Sequence, residues 1–308
     1  MASALVLAVL LQTAAAQAGQ GGVRPAECGP DGLRVGSPWE RAKEPQLRRY
    51  CDLVARGTSR LVGSAAGAAD VLAIADEADK LLPGRAGPSV LRGRALLRLE
   101  RPAEALAALA AATKRDDRAL DDPVALLAWA RANARTGRID DAAAAYRAAL
   151  PRTSTLSTQE RASASFEAAM VVMGQGARGL DDAVAMLRQA RRDSQDAMQG
   201  AAVVALALAL DRSGQRDEAK AVLAERVRDG AKAIFSEPRV VEALANAGAP
   251  AESDALVALA LEPVEPAASR EAWKKYLAGA GGKGPWAEHA RTHEAGTPAR
   301  APRAARAR

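Results

Sequence analysis

Aromatic rings, histidine and cysteine are all scarce in this sequence. Phe, Tyr and Trp make up 3% of its 308 residues, and it holds two histidines and two cysteines. A core of large side chains gains roughly 1.5–3 kcal/mol for each one buried. A chain with few rings has to pack many elements at close range instead. Apolar residues still amount to 49%, and alanine carries much of that share. Alanine is the best helix former, so the composition predicts an all-α fold.

The motifs of common enzyme chemistry are missing as well. No GxSxG nucleophile elbow, no GxxxxGK[ST] phosphate loop and no dinucleotide-binding glycine pattern occurs. The run GAGGKG from Gly279 looks like part of a phosphate loop, but it has no strand before it and no Ser or Thr after it. It reads as a flexible connector. His289 and His293 stand four apart, a spacing that can ligate zinc from one helix face. A zinc-protease helix needs Glu directly after the first His, and here that residue is Ala290. No third ligand is visible in the sequence, so the pair reads as solvated helix-face residues. No enzyme activity, metal or cofactor is expected.

Charge gives little away. Four of the six excess positive charges, Arg300, Arg303, Arg306 and Arg308, sit in the last eleven residues, PARAPRAARAR. Pro/Ala/Arg tails of this kind are expected to be disordered and solvated. The rest is close to neutral and lacks the dense basic patches with interleaved aromatics that bind nucleic acid.

The N-terminus reads as an address. An apolar run, Ala4 to Leu11, is too short to span a bilayer, and Ala16-Gln17-Ala18 follows with the small residues a signal peptidase accepts. No Lys or Arg precedes the run, a departure from the usual pattern, but export is still the expected outcome, with mature protein from near Gly19. The two cysteines, Cys28 and Cys51, fit an oxidising compartment. A bridge between them closes a loop of about 23 residues, worth about 3 kcal/mol in the chain-entropy model. No later segment is long enough to cross a membrane without charge.

A repeat fills the middle of the chain. RPAEALAALAAA from Arg101, RIDDAAAAYRAA from Arg138, GLDDAVAMLRQA from Gly179 and QRDEAKAVLAER from Gln215 share one pattern. A turn is followed by acids, a fixed alanine and a large apolar residue four positions on. The alanines are Ala105, Ala142, Ala183 and Ala219, and a weaker fifth copy supplies Ala255; the intervals are 37, 41, 36 and 36 residues. Each copy follows an apolar segment of helical period, so the unit is helix, turn, helix. The acids fall in the first turn of the second helix, where they complement its dipole. The alanines let two backbones approach, and Leu109, Tyr146, Leu187, Leu223 and Leu259 fill the space one turn on.

This pattern resembles the tetratricopeptide repeat family. The copy from Pro123 to Leu150 matches best, through Ala130, Gly137, Ala142, Tyr146 and Ala149. The family's tryptophan and proline are missing at their usual registers, the intervals are long, and MGQGARGL lengthens the third turn. The resemblance implies a right-handed α-solenoid of antiparallel helix pairs. The expected organisation is a signal peptide (1–18), an extended segment (19–45), an N-terminal capping pair (46–84), the repeat array (85–262), C-terminal capping helices (263–293) and a basic tail (294–308). Trp273 and Trp286 are expected to cover the open face of the last repeat.

The resemblance also implies a concave face made by the first helix of each pair. Arg94 and Arg98, then Leu127, Arg131 and Arg135, then Met170, then Leu208 and Arg212 fall at inward positions. Arginines beside apolar steps suit a protein or peptide partner with acidic groups or a free C-terminal carboxylate. The alternative is that these arginines solvate an exposed helix face. The expected function is a non-enzymatic scaffold organising a periplasmic or envelope complex. Rival readings are an accessory subunit binding a glycan or a peptidoglycan-active enzyme, and a spacer attached through its basic tail.

Overall fold

The structure is a computed structural model that describes residue 28 and residues 46–61, 65–224 and 231–296. The expected signal peptide, nearly all of the segment 19–45 and most of the basic tail lie outside the described residues. Among the described residues there are fifteen α-helices and no strand, and no helix is long and apolar enough to cross a membrane. The chain forms two compact units, Met1–Trp129 with Arg152–Ser157, and Ala130–Pro151 with Thr158–Arg308.

The first unit holds α1 (Leu47–Arg60), α2 (Ala65–Leu81), α3 (Gly87–Arg98), α4 (Pro102–Arg115) and the start of α5 (Pro123–Arg135). Each of the first three helices packs on the next. Their core includes Tyr50, Leu53, Val54, Val71, Ile74 and Leu91, with the Cys28–Cys51 disulfide buried among them. The bridge therefore joins α1 to the segment preceding it, as the sequence predicts. Helix α2 stops at Leu81, ahead of Pro83 and Gly84.

The second unit holds the rest of α5 and then α6 (Ile139–Ala149), α7 (Thr158–Met173), α8 (Leu180–Asp193), α9 (Asp196–Arg212) and α10 (Arg216–Ala224). After these come a single turn α11 (Ala231–Ile234), α12 (Pro238–Asn246), α13 (Glu252–Leu261), α14 (Pro266–Ala278) and α15 (Ala287–Glu294). From α6 to α10 and from α13 to α15, every helix packs on its successor. Helix α9 is buried along nearly its whole length from Met198 to Arg212, so it lies at the centre of this unit.

The alanine register is a packing register. Ala105, Ala142, Ala183 and Ala255 are 0% exposed and Ala219 is 3%, so none of the five points into water. Leu109, Tyr146, Leu187, Leu223 and Leu259 are buried beside them. The acids also lie where dipole complementarity puts them: Glu104, Asp140–Asp141, Asp181–Asp182 and Asp217–Glu218 all occupy first turns.

The hairpin turns share one cap. Gly137, Gly214 and Gly248 have φ of 78°, 84° and 64°. The amides after them, on Arg138, Gln215 and Ala249, donate back to Asn133 O, Leu210 O and Leu244 O at 2.9–3.0 Å. This is the Schellman pattern, which needs a left-handed residue and so favours glycine. The first copy makes the same bond, Arg101 N to Leu96 O at 2.9 Å, but its left-handed residue is Glu100, with φ 58°. The third copy differs, as its longer turn predicts. Gly176 begins a 3₁₀ turn, Gly176–Gly179, before α8. The GAGGKG run is likewise a 3₁₀ turn, Ala280–Lys283, whose Gly281 packs under the Tyr276 ring with no room for a Cβ.

Candidate functional site

In the first unit a cleft of about 350 Å³ opens between α1, α3 and the turn leading into α5. Val54 and Thr58 of α1 form one side, and Val90, Leu91 and Arg94 of α3 the other. Its rim carries both signs of charge, with Arg118 and Arg152 beside Asp116, Asp121 and Asp122. Arg118 already pairs with Asp121 at 3.2 Å. Asp122 caps α5 by accepting the Val124 amide at 2.9 Å. Burial pushes its carboxyl up, against the pull of that amide and of Arg94. Arg94, one of the inward positions that the resemblance implies, lines this cleft.

The other sequence-predicted positions fare differently. Arg98 is exposed, and its guanidinium donates to Leu61 O at 3.4 Å. Arg135 is half-buried. Leu127, Met170 and Leu208 are at most 3% exposed, so the chain's own packing already covers them. In the second unit the arginines turn inward. Arg131 donates to both oxygens of Glu167, at 2.8 and 3.1 Å. Tyr146 and Asn246 complete that carboxylate, donating at 3.0 Å each. Burial and the adjacent carboxylate raise the Tyr146 hydroxyl well above its ordinary pKa, so it stays a proton donor.

Arg212 departs furthest from an arginine open to a partner or to solvent. Its side chain is 0% exposed and pairs with Glu252 at 2.8 Å. It also lies 4.9 Å from the centre of the Trp286 ring. The Trp286 indole donates to Met173 O at 2.8 Å, and Trp273 is fully buried. The C-terminal helices thus do more than cover the last repeat. They reach the ends of α7 and α9 and occupy the ground a partner would need at Arg212.

The same fold-back brings a polar cluster together. His289 Nε2 and His293 Nε2 lie 2.7 and 2.8 Å from one atom, Oδ2 of Asp211 at the end of α9. Their side chains are 13% and 10% exposed and that of Asp211 is 7%. These are not solvated helix-face histidines. The i,i+4 spacing put both rings on one face, but the acid that meets them lies 78 residues from His289, at a position the repeat register marks only as inward. His293 Nδ1 faces Glu262 at 3.3 Å, and Trp273 stacks on the His293 ring at 5.0 Å.

Electrostatics within the cluster are uneven. Burial alone would raise Asp211, but hydrogen bonds from both histidines overcome it and hold the carboxyl well below the ordinary range. Burial lowers His289, whereas His293, facing two carboxylates, overcomes the same penalty and rises to about 9.

The described residues form an all-α fold of successive helical hairpins, with small residues at the crossings and left-handed caps at most turns. No family model matches the chain, and no curated protein matches it. Among solved structures it is similar to a chain in "Crystal structure of APC/C hetero-tetramer Cut9-Hcn1", at 15% identity and a TM-score of 0.39. The match covers 74% of this chain and 45% of that one, so this chain spans less than half the length of its neighbour. So loose a likeness says nothing about what this chain binds.

Proposed function

We propose that the chain is a non-catalytic scaffold that docks a protein or peptide partner through the first-unit cleft, in an exported, periplasmic or envelope-associated setting. The observation carrying this reading is the position of the cleft. It opens between first helices of successive hairpins, with half-buried Val90 on its wall, the buried core residues Val54 and Leu91 also lining it, and a guanidinium, Arg94, at its edge. An extended segment can place an apolar side chain in such a cleft and a carboxylate against the arginine. The buried Cys28–Cys51 bridge and the apolar N-terminal run support export.

Selection of displayed peptides with free C-termini tests the docking. The wild-type chain is expected to enrich peptides with an apolar residue near an acidic group or the terminal carboxylate. Arg94→Glu should weaken the best of them at least about tenfold, the loss of one charge-assisted contact near 1.4 kcal/mol. Unselective enrichment, or equal binding by Arg94→Glu, contradicts the proposal. Binding to purified sacculi that survives Arg94→Glu favours the glycan-binding accessory role instead.

A further inference from the structure

Asp211, His289 and His293 present three ligand atoms within 4.8 Å of one another. Both Nε2 atoms point at the same carboxylate oxygen, and the outer nitrogen of His293 is engaged by Glu262. As an imidazolium His293 donates from Nε2 to Asp211 and from Nδ1 to Glu262, and a metal ion would take the place of the Nε2 proton between ring and carboxylate. The Glu262–His293 contact is also the outer support that metal-bound histidines commonly have, because a carboxylate on the far nitrogen fixes tautomer and ring orientation. Trp273 stacked on His293 holds the ring plane.

We propose that Asp211, His289 and His293 bind one divalent transition-metal ion of the zinc class. Two imidazoles and a carboxylate are a donor set that zinc, cobalt(II) and iron(II) accept and magnesium and calcium do not favour. Bonds of about 2.0–2.2 Å to a tetrahedral ion put ligand atoms about 3.3 Å apart. The present contacts of 2.7 and 2.8 Å therefore open by about half an ångström on binding, within reach of small side-chain rotations. Two cations stand near. Arg216 lies 3.7 Å from the other Asp211 oxygen, and Arg212 is neutralised by Glu252 at 2.8 Å. Three protein ligands leave a coordination position for water or for a ligand from a partner. The ion would tie α15 to the end of α9 and so fix the fold-back of the C-terminal helices.

The experiment uses the purified chain without a histidine tag, stripped with a chelator and titrated with zinc chloride. The sequence has two histidines, so imidazole nitrogen NMR reads the site directly. One zinc per chain is expected, with the Nε2 resonances of both rings moving together and saturating at one equivalent. His289→Gln should abolish saturable binding. Glu262→Gln, which leaves all three ligands in place, should weaken it roughly 10–100-fold. The proposal is overturned if neither imidazole moves with excess zinc, or if one-to-one binding persists in His289→Gln. Should His289→Gln fail to fold, the wild-type imidazole titration and the Glu262→Gln affinity still decide.

Discussion

Arg131 and Glu167, 36 residues apart, form a two-pronged ion pair in which the Glu167 side chain is 2% exposed and the Arg131 side chain 29%. With Tyr146 and Asn246 on the same carboxylate, it links α5, α6, α7 and α12. Removing one partner of a buried pair leaves an uncompensated charge. Arg131→Met should therefore cost about 2–3 kcal/mol, toward the low end for such losses because the Arg131 side chain is only partly buried. The double variant Arg131→Met/Glu167→Gln should recover part of that loss, since the amide retains acceptors and donors but no charge. Urea denaturation of the three proteins checks this. A double variant less stable than Arg131→Met counts against the assignment.

The crossing alanines predict a contrast within one helix. Ala142 is fully buried, and Ala144, two positions on in α6, is exposed. Ala142→Leu forces extra methylenes into a filled crossing and should cost about 1–3 kcal/mol or more. Ala144→Leu should stay within about 0.5 kcal/mol of the parent. Thermal unfolding distinguishes them, and equal effects would remove the close-packing role assigned to the repeat alanine.

Glu100 occupies the left-handed cap position that glycine holds at residues 137, 214 and 248. Glu100→Gly and Glu100→Ala both remove the side chain, so they differ mainly in backbone preference. The glycine variant should be the more stable by about 1 kcal/mol. An alanine variant of equal or greater stability would show that this turn relaxes out of the left-handed conformation.

Most of the hairpin architecture could be read from the sequence, because it rests on local spacing. A small residue, a turn glycine and first-turn acids lie within a dozen positions of one another, and all of them landed where helix geometry requires. The surface that remains for a partner was harder to read. Arg131 and Arg212 occupy inward registers, yet acids at 167 and 252 claim them, and no local pattern links residues so far apart. The Asp211 cluster eluded the sequence for the same reason. The histidine spacing supplied two groups on one face, and the third came from another helix through the fold-back of α14 and α15.

The cluster has a pH signature in chelated protein. His293 rises from the ordinary 6.5 to about 9 in the folded state, so its contribution to stability is complete below the ordinary value and is lost as pH climbs through about 9. Asp211, held low, adds stability that is present above the ordinary carboxylate pKa and lost in acid. NMR titration of the two imidazoles, with denaturation midpoints measured across the same range, checks both. A His293 that titrates at or below 6.5 contradicts the described contacts.

The docking surface is tested most directly by a photocrosslinking amino acid placed at Val90, inside the cleft, and at Val241, an exposed control on α12, in cells that make the protein. A discrete adduct of one partner from position 90, missing at 241 and lost when Arg94→Glu is added, is the predicted result. An adduct that forms equally from both positions, or none at 90, would contradict docking at this cleft.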